Sequence, residues 1–431
     1  MKGAKYDVLV IGGGPAGSAL AGYLAMAGLS VVVFEREKFP RPHVGESLVP
    51  ASTKIFTELG FMDQMETSGF LKKYGAVWSS PSEKKYSHDW ENMGSSYEVD
   101  VRFRERDQHL GQNYTYHVDR AKFDQLLLKH AEKLGAAVFE ESDVKRVSFL
   151  EDGCIATVKD SLGAERQIRC KFVVDASGRR TFLGTKLKLK IRDAEFNQVA
   201  VHQWFKHFDR GKEEKSDFIH VHFLPQQNSW VWQIPITETV TSIGVVTRSE
   251  NLKDSSQSLD EFFWEMVRGR SDIHDRLQAA EPLTELKVES DYSYEMTRFI
   301  GNRFLMVGDA ARFVDPIFSS GVSMALQSAR LASKAIVSSF KKNDLSESQF
   351  LDYERTIKRG CSNWYRFIRL YYRLNVLFTH FIENPKYRLD ILKLLQGDVY
   401  DSEPSVLDEM ERIVSEVESN PSHIWYSSLG I

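Results

Sequence analysis

The chain has 431 residues, enough for two or three domains, and carries 56 basic against 60 acidic side chains for a net charge of −4. So even a balance excludes a nucleic-acid partner held by bulk electrostatics. Its three cysteines, Cys154, Cys170 and Cys361, lie far apart without metal-ligand spacing, which excludes a disulfide framework, predicts no metal and suits a reducing cytoplasm.

Residues 1–7 run directly into the first strand, leaving no room for a signal peptide. No apolar run approaches the roughly 20 residues of a membrane-spanning helix. The expectation is a soluble, cytoplasmic protein. Val8 to Ile11 form an apolar strand that enters Gly12-x-Gly14-x-x-Gly17, a small-residue helix follows, and a second apolar strand, Val31 to Phe34, ends in Glu35. This is the order of a dinucleotide-binding βαβ unit. Gly12 allows the tight turn, Gly14 lets the backbone approach a pyrophosphate, and Gly17 lets helix and strand pack closely. Glu35 falls where an acid accepts hydrogen bonds from an adenosine ribose. The loop Glu37 to Pro50 leaves the carboxyl end of a strand, so Gly45-Glu46-Ser47 either touches the ligand or forms a surface turn. Ala51 to Met65 reads as helix, Gly69 to Trp78 begins a β segment, and the polar stretch Ser82 to Gly111 reads as a loop or hairpin insertion.

Asp119 is the predicted N-cap of a helix that buries Phe123, Leu126, Leu127 and Ala131. Ala136 to Phe149 and Cys154 to Val158 read as strands, and Arg169 to Val174 is an apolar strand ending in Asp175-Ala-Ser-Gly178. From Glu195 to Val288 the pattern alternates, which predicts a mostly antiparallel sheet with one helix, Leu259 to about Arg268. Phe304 to Val307 is a buried strand entering Gly308-Asp309, and Ser320-Gly321 opens a long helix to about Phe340. Asp309 is placed to bond a polyol hydroxyl; the helix start is an anion site, or is simply capped by Ser319 or Ser320. Between Trp364 and Phe381, Trp364, Phe367, Ile368, Tyr371 and Phe378 share one helical face, and Arg366, Arg369 and Arg373 lie on another.

Gly12-x-Gly14-x-x-Gly17 with Glu35, Arg120 in Asp-Arg-x-x-Phe-Asp, Asp175-Ala-Ser-Gly178 and Gly308-Asp309 together resemble the FAD-binding fold of p-hydroxybenzoate hydroxylase-like flavoproteins. The resemblance implies an α/β architecture. Residues 1–80, 113–190 and 293–345 make a Rossmann-type FAD-binding domain in three parts. Residues 81–112 are an insertion on the substrate side, 191–292 an inserted, mostly antiparallel substrate domain, and 346–431 a helical C-terminal region. Ala16, Arg36, Gly45, Glu46, Ser47, Arg120, Asp175, Gly178, Gly308 and Pro316 join the glycines, Glu35 and Asp309 as the cofactor-binding residues it implies.

Three further motifs resemble the flavin-dependent halogenases. Trp230-x-Trp232-x-Ile234-Pro235 matches their WxWxIP motif, whose bulky residues keep substrate away from the oxygenated flavin. Lys72-Lys73-Tyr-Gly-Ala matches the segment carrying their active-site lysine, at Lys73. Asp315-Pro-Ile-Phe-Ser-Ser320-Gly321-Val looks like the version found in halogenases of phenols and pyrroles, with Ser319 where tryptophan halogenases carry a glutamate, and Leu-Leu-Gln-Gly397-Asp-Val-Tyr400 also resembles that subgroup. The resemblance implies that FADH2 and dioxygen oxidise chloride or bromide, bound at Ser320-Gly321, to hypohalous acid. Lys73 then relays the oxidant to an electron-rich phenol or pyrrole, free or on an acyl or peptidyl carrier protein, in natural-product biosynthesis. With one dinucleotide fingerprint and no second Rossmann unit for a nicotinamide, the resemblance implies that FADH2 comes from a separate flavin reductase, although single-component hydroxylases also lack a second unit. The base that polarises the substrate is unassigned among His43, His117, His202, His220 and His222. The competing readings are an aromatic-ring hydroxylase on the same scaffold, a prenyl reductase resembling geranylgeranyl reductases, and a non-catalytic flavin-binding protein.

Overall fold

The computed structural model describes residues 5–80, 97–105, 113–193, 195–290, 293–401 and 403–429. Its first sheet is built on Tyr6–Ile11, which pairs in parallel with Val31–Phe34 on one side and Glu165–Asp175 on the other. Ala137–Phe139 and Phe304–Met306 extend the parallel run at its two ends. Val8, Leu9, Val10, Val32 and Val33 are fully buried, as expected of a parallel sheet covered on both faces. The helix Pro15–Met26 begins with proline at its first position and Gly14 as N-cap, with no side-chain cap.

Arg120–Lys133 is capped as its sequence predicts: the Asp119 carboxylate accepts the Ala121 N–H at 2.9 Å. Two predicted helices are shorter. The Ala51–Met65 stretch divides into Pro50–Glu58 and Met62–Thr67, and the aromatic C-terminal stretch breaks at Leu374, between Leu351–Arg373 and Asn375–Glu383. Cys154 and Cys170, distant in sequence, stand opposite each other on paired strands as free, buried thiols.

The second sheet is antiparallel around Gln198–Lys206, Val240–Arg248, Trp230–Pro235 and Ile219–Phe223. It then takes in Gly75–Ser80, parallel to Ile219–Phe223, and Tyr97–Arg102. The sheet is therefore not confined to 191–292: strands from the 1–80 and 81–112 segments close its edge. Of the expected insertion, only Tyr97–Arg102 and the turn Phe103–Glu105 lie inside the described residues. One face of this sheet packs with the nucleotide fold, through Ile219, Val221, Trp230, Trp232 and Ile234. The other, through Val201, Phe205, Val231 and Val245, packs with the Leu259–Arg268 helix as a separate core. A small sheet of Lys190–Arg192, Tyr294–Met296 and Arg312–Phe313 stands where the chain leaves and re-enters the nucleotide fold. Among the described residues no helix is long and apolar enough to cross a membrane, and no cluster of metal-ligating side chains occurs.

Candidate active site

A cleft of about 440 Å3 runs from the first βαβ unit to the inner face of the second sheet. At its nucleotide end Gly12 has φ +105°, and a Cβ there would stand 2.5 Å from the Ala176 carbonyl oxygen. A Cβ on Gly17 would stand 2.0 Å from the Gly12 carbonyl oxygen, so helix and turn touch only because both residues are glycine. Gly14 and Ala16 line the cleft beside this uncapped helix start, where free N–H groups and the helix dipole favour phosphate. Glu35 accepts the Gly13 N–H at 2.7 Å and the Glu37 N–H at 2.9 Å, one on each oxygen. A carboxylate has about four acceptor sites, so capacity remains for ribose hydroxyls. Arg36, paired with Glu37 at 3.5 Å, sits at the exposed rim.

The next wall is the loop from Arg41 to Ser47. Arg120 is buried and makes a two-pronged pair with Asp124, at 2.8 and 3.0 Å, while its Nη1 donates to the Val44 carbonyl. Gly45 has φ +94°, and a Cβ there would stand 2.8 Å from that same Nη1. Arg120 thus fixes the loop rather than pointing a free charge into the cleft. Arg41 brings a second guanidinium, 3.5 Å from Asp124, with its buried Nη1 lacking a hydrogen-bond partner. Glu46 accepts from Trp204 Nε1 at 2.6 Å, and burial pushes its carboxyl up to about 7. Asp309 lines the opposite wall with Gly178 and Arg179, and burial holds its carboxyl up at about 6. Phosphate-facing N–H groups, glycine clearances that a Cβ would fill, and acids at the ribose and polyol positions fit FAD along this cleft.

At the far end Trp230, Trp232 and Ile234 project from one strand face, the two indoles 6.1 Å apart. Trp232 Nε1 donates to Ser242 at 3.1 Å, and its ring fills the space over Gly244, where a Cβ would stand 2.2 Å away. Trp230 Nε1 donates to the Tyr372 hydroxyl at 2.9 Å, and that hydroxyl donates to Asp315 at 3.1 Å. Asp315 also accepts the Ile317 N–H at 3.0 Å, which shapes the turn Pro316–Phe318. Ser319 then adopts φ +58° and makes no side-chain cap, so the Ser320–Lys341 helix opens with bare N–H groups beside the cleft. Pro316, Ser319 and Gly321 line it; the Ser320 hydroxyl is fully buried and has no hydrogen-bond partner.

Lys73 does not line the cleft. It is 2% exposed, and its Nζ donates to the Leu48 carbonyl at 2.8 Å, one residue past Ser47, which does line it. Burial pulls the Lys73 amine down to about 7. The strand Leu71–Lys73 pairs with Thr115–His117, placing Lys73 opposite Thr115 and one pleat from His117. His117 is fully buried; its Nε2 lies 2.9 Å from the Asp217 carbonyl and its Nδ1 has no partner.

Of the other histidines, His220 and His222 bond Lys215 and Ser79 on the face that alternates away from Ile219. His202 packs on Trp232 at 5.5 Å, and His43 sits at the cleft wall beside its neighbour's carbonyl. Gly17, Asp175, Gly308, Ser320 and Pro235 support the site without lining the cleft. Asp175 spends its carboxylate on the Ser177 and Leu183 N–H groups at 3.0 and 2.6 Å.

The sequence reading did not single out Arg41, Asp124, Trp204 or Tyr372. Of these only Asp124 left a signal, as the last residue of Asp-Arg-x-x-Phe-Asp, four residues after Arg120 on a helix. Gly397, inside a halogenase-like motif, has φ +90° where Gln396 accepts the Ala51 N–H and donates to the Phe103 carbonyl. That motif is a packing joint. It holds Phe103, whose ring lies 5.5 Å from Lys73 Nζ.

Comparison with known proteins agrees with this geometry. The FAD binding domain family matches residues 5–356. The whole chain is 50% identical to the 1H-pyrrole-2-carbonyl-(peptidyl-carrier protein) chlorinase of Pseudomonas fluorescens and covers 98% of it. It is 31% identical, over 93% of each chain, to the 1H-pyrrole-2-carbonyl-(peptidyl-carrier protein) brominase of Pseudoalteromonas luteoviolacea. Among solved structures, a triple mutant of the flavin-dependent brominase Bmp2 matches with a TM-score of 0.84 at 28% identity, across 96% of this chain and all of that one. With one FAD cleft, a tryptophan pair across its far end and relatives of this kind along its whole length, the chain belongs to the FAD binding domain family and, within it, to the flavin-dependent halogenases.

Proposed function

We propose that this halogenase acts on a pyrrole-2-carbonyl group attached to a peptidyl carrier protein, using FADH2 from a separate flavin reductase. The observation that carries this reading is 50% identity, over the whole of this chain and 98% of the relative, to an enzyme of that substrate. Bound FADH2 supplies the electrons with which dioxygen oxidises halide to hypohalous acid. The halide rests on the bare N–H groups at Ser320 and Gly321, where the helix dipole supplies positive potential without an acidic proton. Trp230 and Trp232 form a wall that keeps the ring off the cofactor. Lys73 receives the oxidant.

A neutral amine suits that task because it has a lone pair for the halogen, and burial lowers the Lys73 amine to about 7, so about half of it is already neutral near pH 7. The unpartnered Ser47 and Ser320 hydroxyls, one on the cleft loop and one on the halide helix, favour passage of a small polar guest. At the ring the C–halogen bond forms, the halogen leaves its oxygen or nitrogen, and the ring proton is lost. Holding ring and oxidant together supplies regioselectivity that free hypohalite lacks.

The test is a mass-spectrometric product assay with FAD, a flavin reductase, NADH, air and chloride or bromide. It compares free phenols and pyrrole-2-carboxylate with the carrier-bound pyrrole, and runs Lys73→Ala beside wild type. A halide-dependent mass gain on the carrier-bound ring, absent in the variant, is the expected result. Halogenation of free rings only, or of all rings in the variant, overturns the carrier assignment or the lysine assignment respectively.

A further inference from the structure

Between the Phe182–Lys186 helix and the second sheet the sequence reads Lys186-Leu-Lys-Leu-Lys-Ile-Arg192, four cations in seven positions of a chain whose net charge is −4. Lys186, Lys188, Lys190 and Arg192 are all exposed. Leu189 is buried and roots the strip, whereas Leu187 and Ile191 remain 39% and 45% exposed between the cations. Other surface cations of this protein are commonly paired, as Arg366 is with Glu411 and Arg388 with Glu105. Among the described residues, Lys186, Lys188 and Arg192 enter no ion pair. Lys190 packs its ammonium 3.7 Å from the centre of the Tyr294 ring.

The strip ends in the edge strand of the small three-stranded sheet. Arg192 pairs with Tyr294, and Tyr294 pairs with Phe313, so the three residues form one row across the sheet. Phe313 lines the cleft, and the Tyr294 hydroxyl donates to the Asp309 carbonyl at 2.6 Å. Two strand spacings put Arg192 roughly 10 Å from a cleft-wall residue. Lys186, Lys188 and Arg192, which enter no ion pair among the described residues, add little to the stability of the fold. A cationic row, interleaved with exposed apolar side chains and leading to the cleft, has the composition of a protein-docking rim.

We propose that residues 186–192 are the docking surface for an acidic carrier protein that delivers the ring, an inference that rests on the carrier-bound reading above. The cations steer the carrier and set its orientation, Leu187 and Ile191 give it an apolar contact, and the row Arg192–Tyr294–Phe313 leads the tethered group inward. The charge complementarity is between this row and a carrier face rich in Asp and Glu.

The test uses Lys186→Glu/Lys188→Glu/Arg192→Glu, which leaves Lys190 on its tyrosine ring. Two substrates are compared at low and high salt: pyrrole-2-carbonyl on a peptidyl carrier domain of net negative charge, and a small pantetheine thioester of the same acid. FAD binding serves as the folding control. The expected result is a KM for the carrier-bound ring raised roughly tenfold or more at low salt, with the salt dependence of wild type lost. The small thioester should be turned over as before. Unchanged KM for the carrier-bound ring overturns the docking surface, as does an equal loss on both substrates. Wild-type enzyme that halogenates the small thioester but ignores the carrier-bound ring removes the carrier reading itself, a result distinct from failure of the strip.

Discussion

Lys72 and Lys73 are identical in sequence and opposite in circumstance. Lys72 reaches outward to Glu66 at 2.9 Å, while Lys73, on the other side of the pleat, is buried. The sequence read alone makes either a surface lysine; only the alternation of the strand separates them. Burial holds the Lys73 amine at about 7, against 10.5 unperturbed. Between those values the unfolded chain carries the extra proton, so stability rises with pH through this window. Below it both states are protonated, and the folded chain bears the full cost of a buried ammonium, about 5 kcal/mol for a shift of this size. Lys73→Met, which leaves the Leu48 carbonyl unbonded at a pH-independent cost of about 1 kcal/mol, should therefore be more stable than wild type near pH 7. Denaturant titrations should show this advantage shrinking as pH is raised toward 10. Halogenation by wild type should climb with pH through about 7, following the neutral amine; a rate that falls there would make the ammonium the working form.

At the scale of elements, the loop before the Ser320–Lys341 helix, the proposed halide site, shows what local sequence can and cannot convey. Gly308-Asp309 and the helix after Ser320 were legible because strand, turn and helix follow within a few residues. The left-handed Ser319, φ +58°, was not, because a serine gives no sign of that conformation; it is imposed by the Asp315 bond to the Ile317 N–H and by Phe318 packing on Phe367 at 4.5 Å. The simple capping alternative is not what the helix uses, since Ser319 makes no cap bond. Gly321→Asp separates the helix from the site. A Cβ there meets only the Phe313 ring, at 3.5 Å, and an acid in the first turn should stabilise the helix by about 0.3–1 kcal/mol. The same charge repels halide. Thermal unfolding should be unchanged or higher, while the KM for chloride or bromide rises about tenfold or more, the equivalent of about 1.4 kcal/mol. An unaltered halide KM would place the anion elsewhere.

Across the whole molecule, the nucleotide-binding half was readable because its first unit is contiguous, whereas the partition between the two sheets was not. Gly75–Ser80 joins Ile219–Phe223 across more than a hundred intervening residues, a pairing set by tertiary packing rather than by local pattern. The C-terminal aromatic face, too, takes its meaning from the assembled fold: Phe367, Tyr371 and Phe378 close around Phe318 on the loop before the Ser320–Lys341 helix. Three regions meet in one buried chain of hydrogen bonds, from Trp230 of the second sheet through Tyr372 of the C-terminal helix to Asp315 of the returning nucleotide fold. Burial raises the Asp315 carboxyl to about 7, so the folded chain keeps a proton that the unfolded chain gives up near 4. The stability this group contributes is present at low pH and is lost as pH rises to about 7. Tyr372→Phe takes the acceptor from Trp230 and one of two donors from Asp315, at a cost of about 1–3 kcal/mol. Losing a donor also disfavours the carboxylate, moving its ionisation to higher pH. The deficit of Tyr372→Phe should therefore widen above pH 7, where wild-type Asp315 has already ionised and the variant's has not. Asp315→Asn combined with Tyr372→Phe should abolish the widening, because no carboxyl remains to titrate. Denaturant unfolding at several pH values reads both effects, and a deficit that stays flat with pH would show that Tyr372 holds Trp230 alone and leaves the Pro316–Phe318 turn to Asp315.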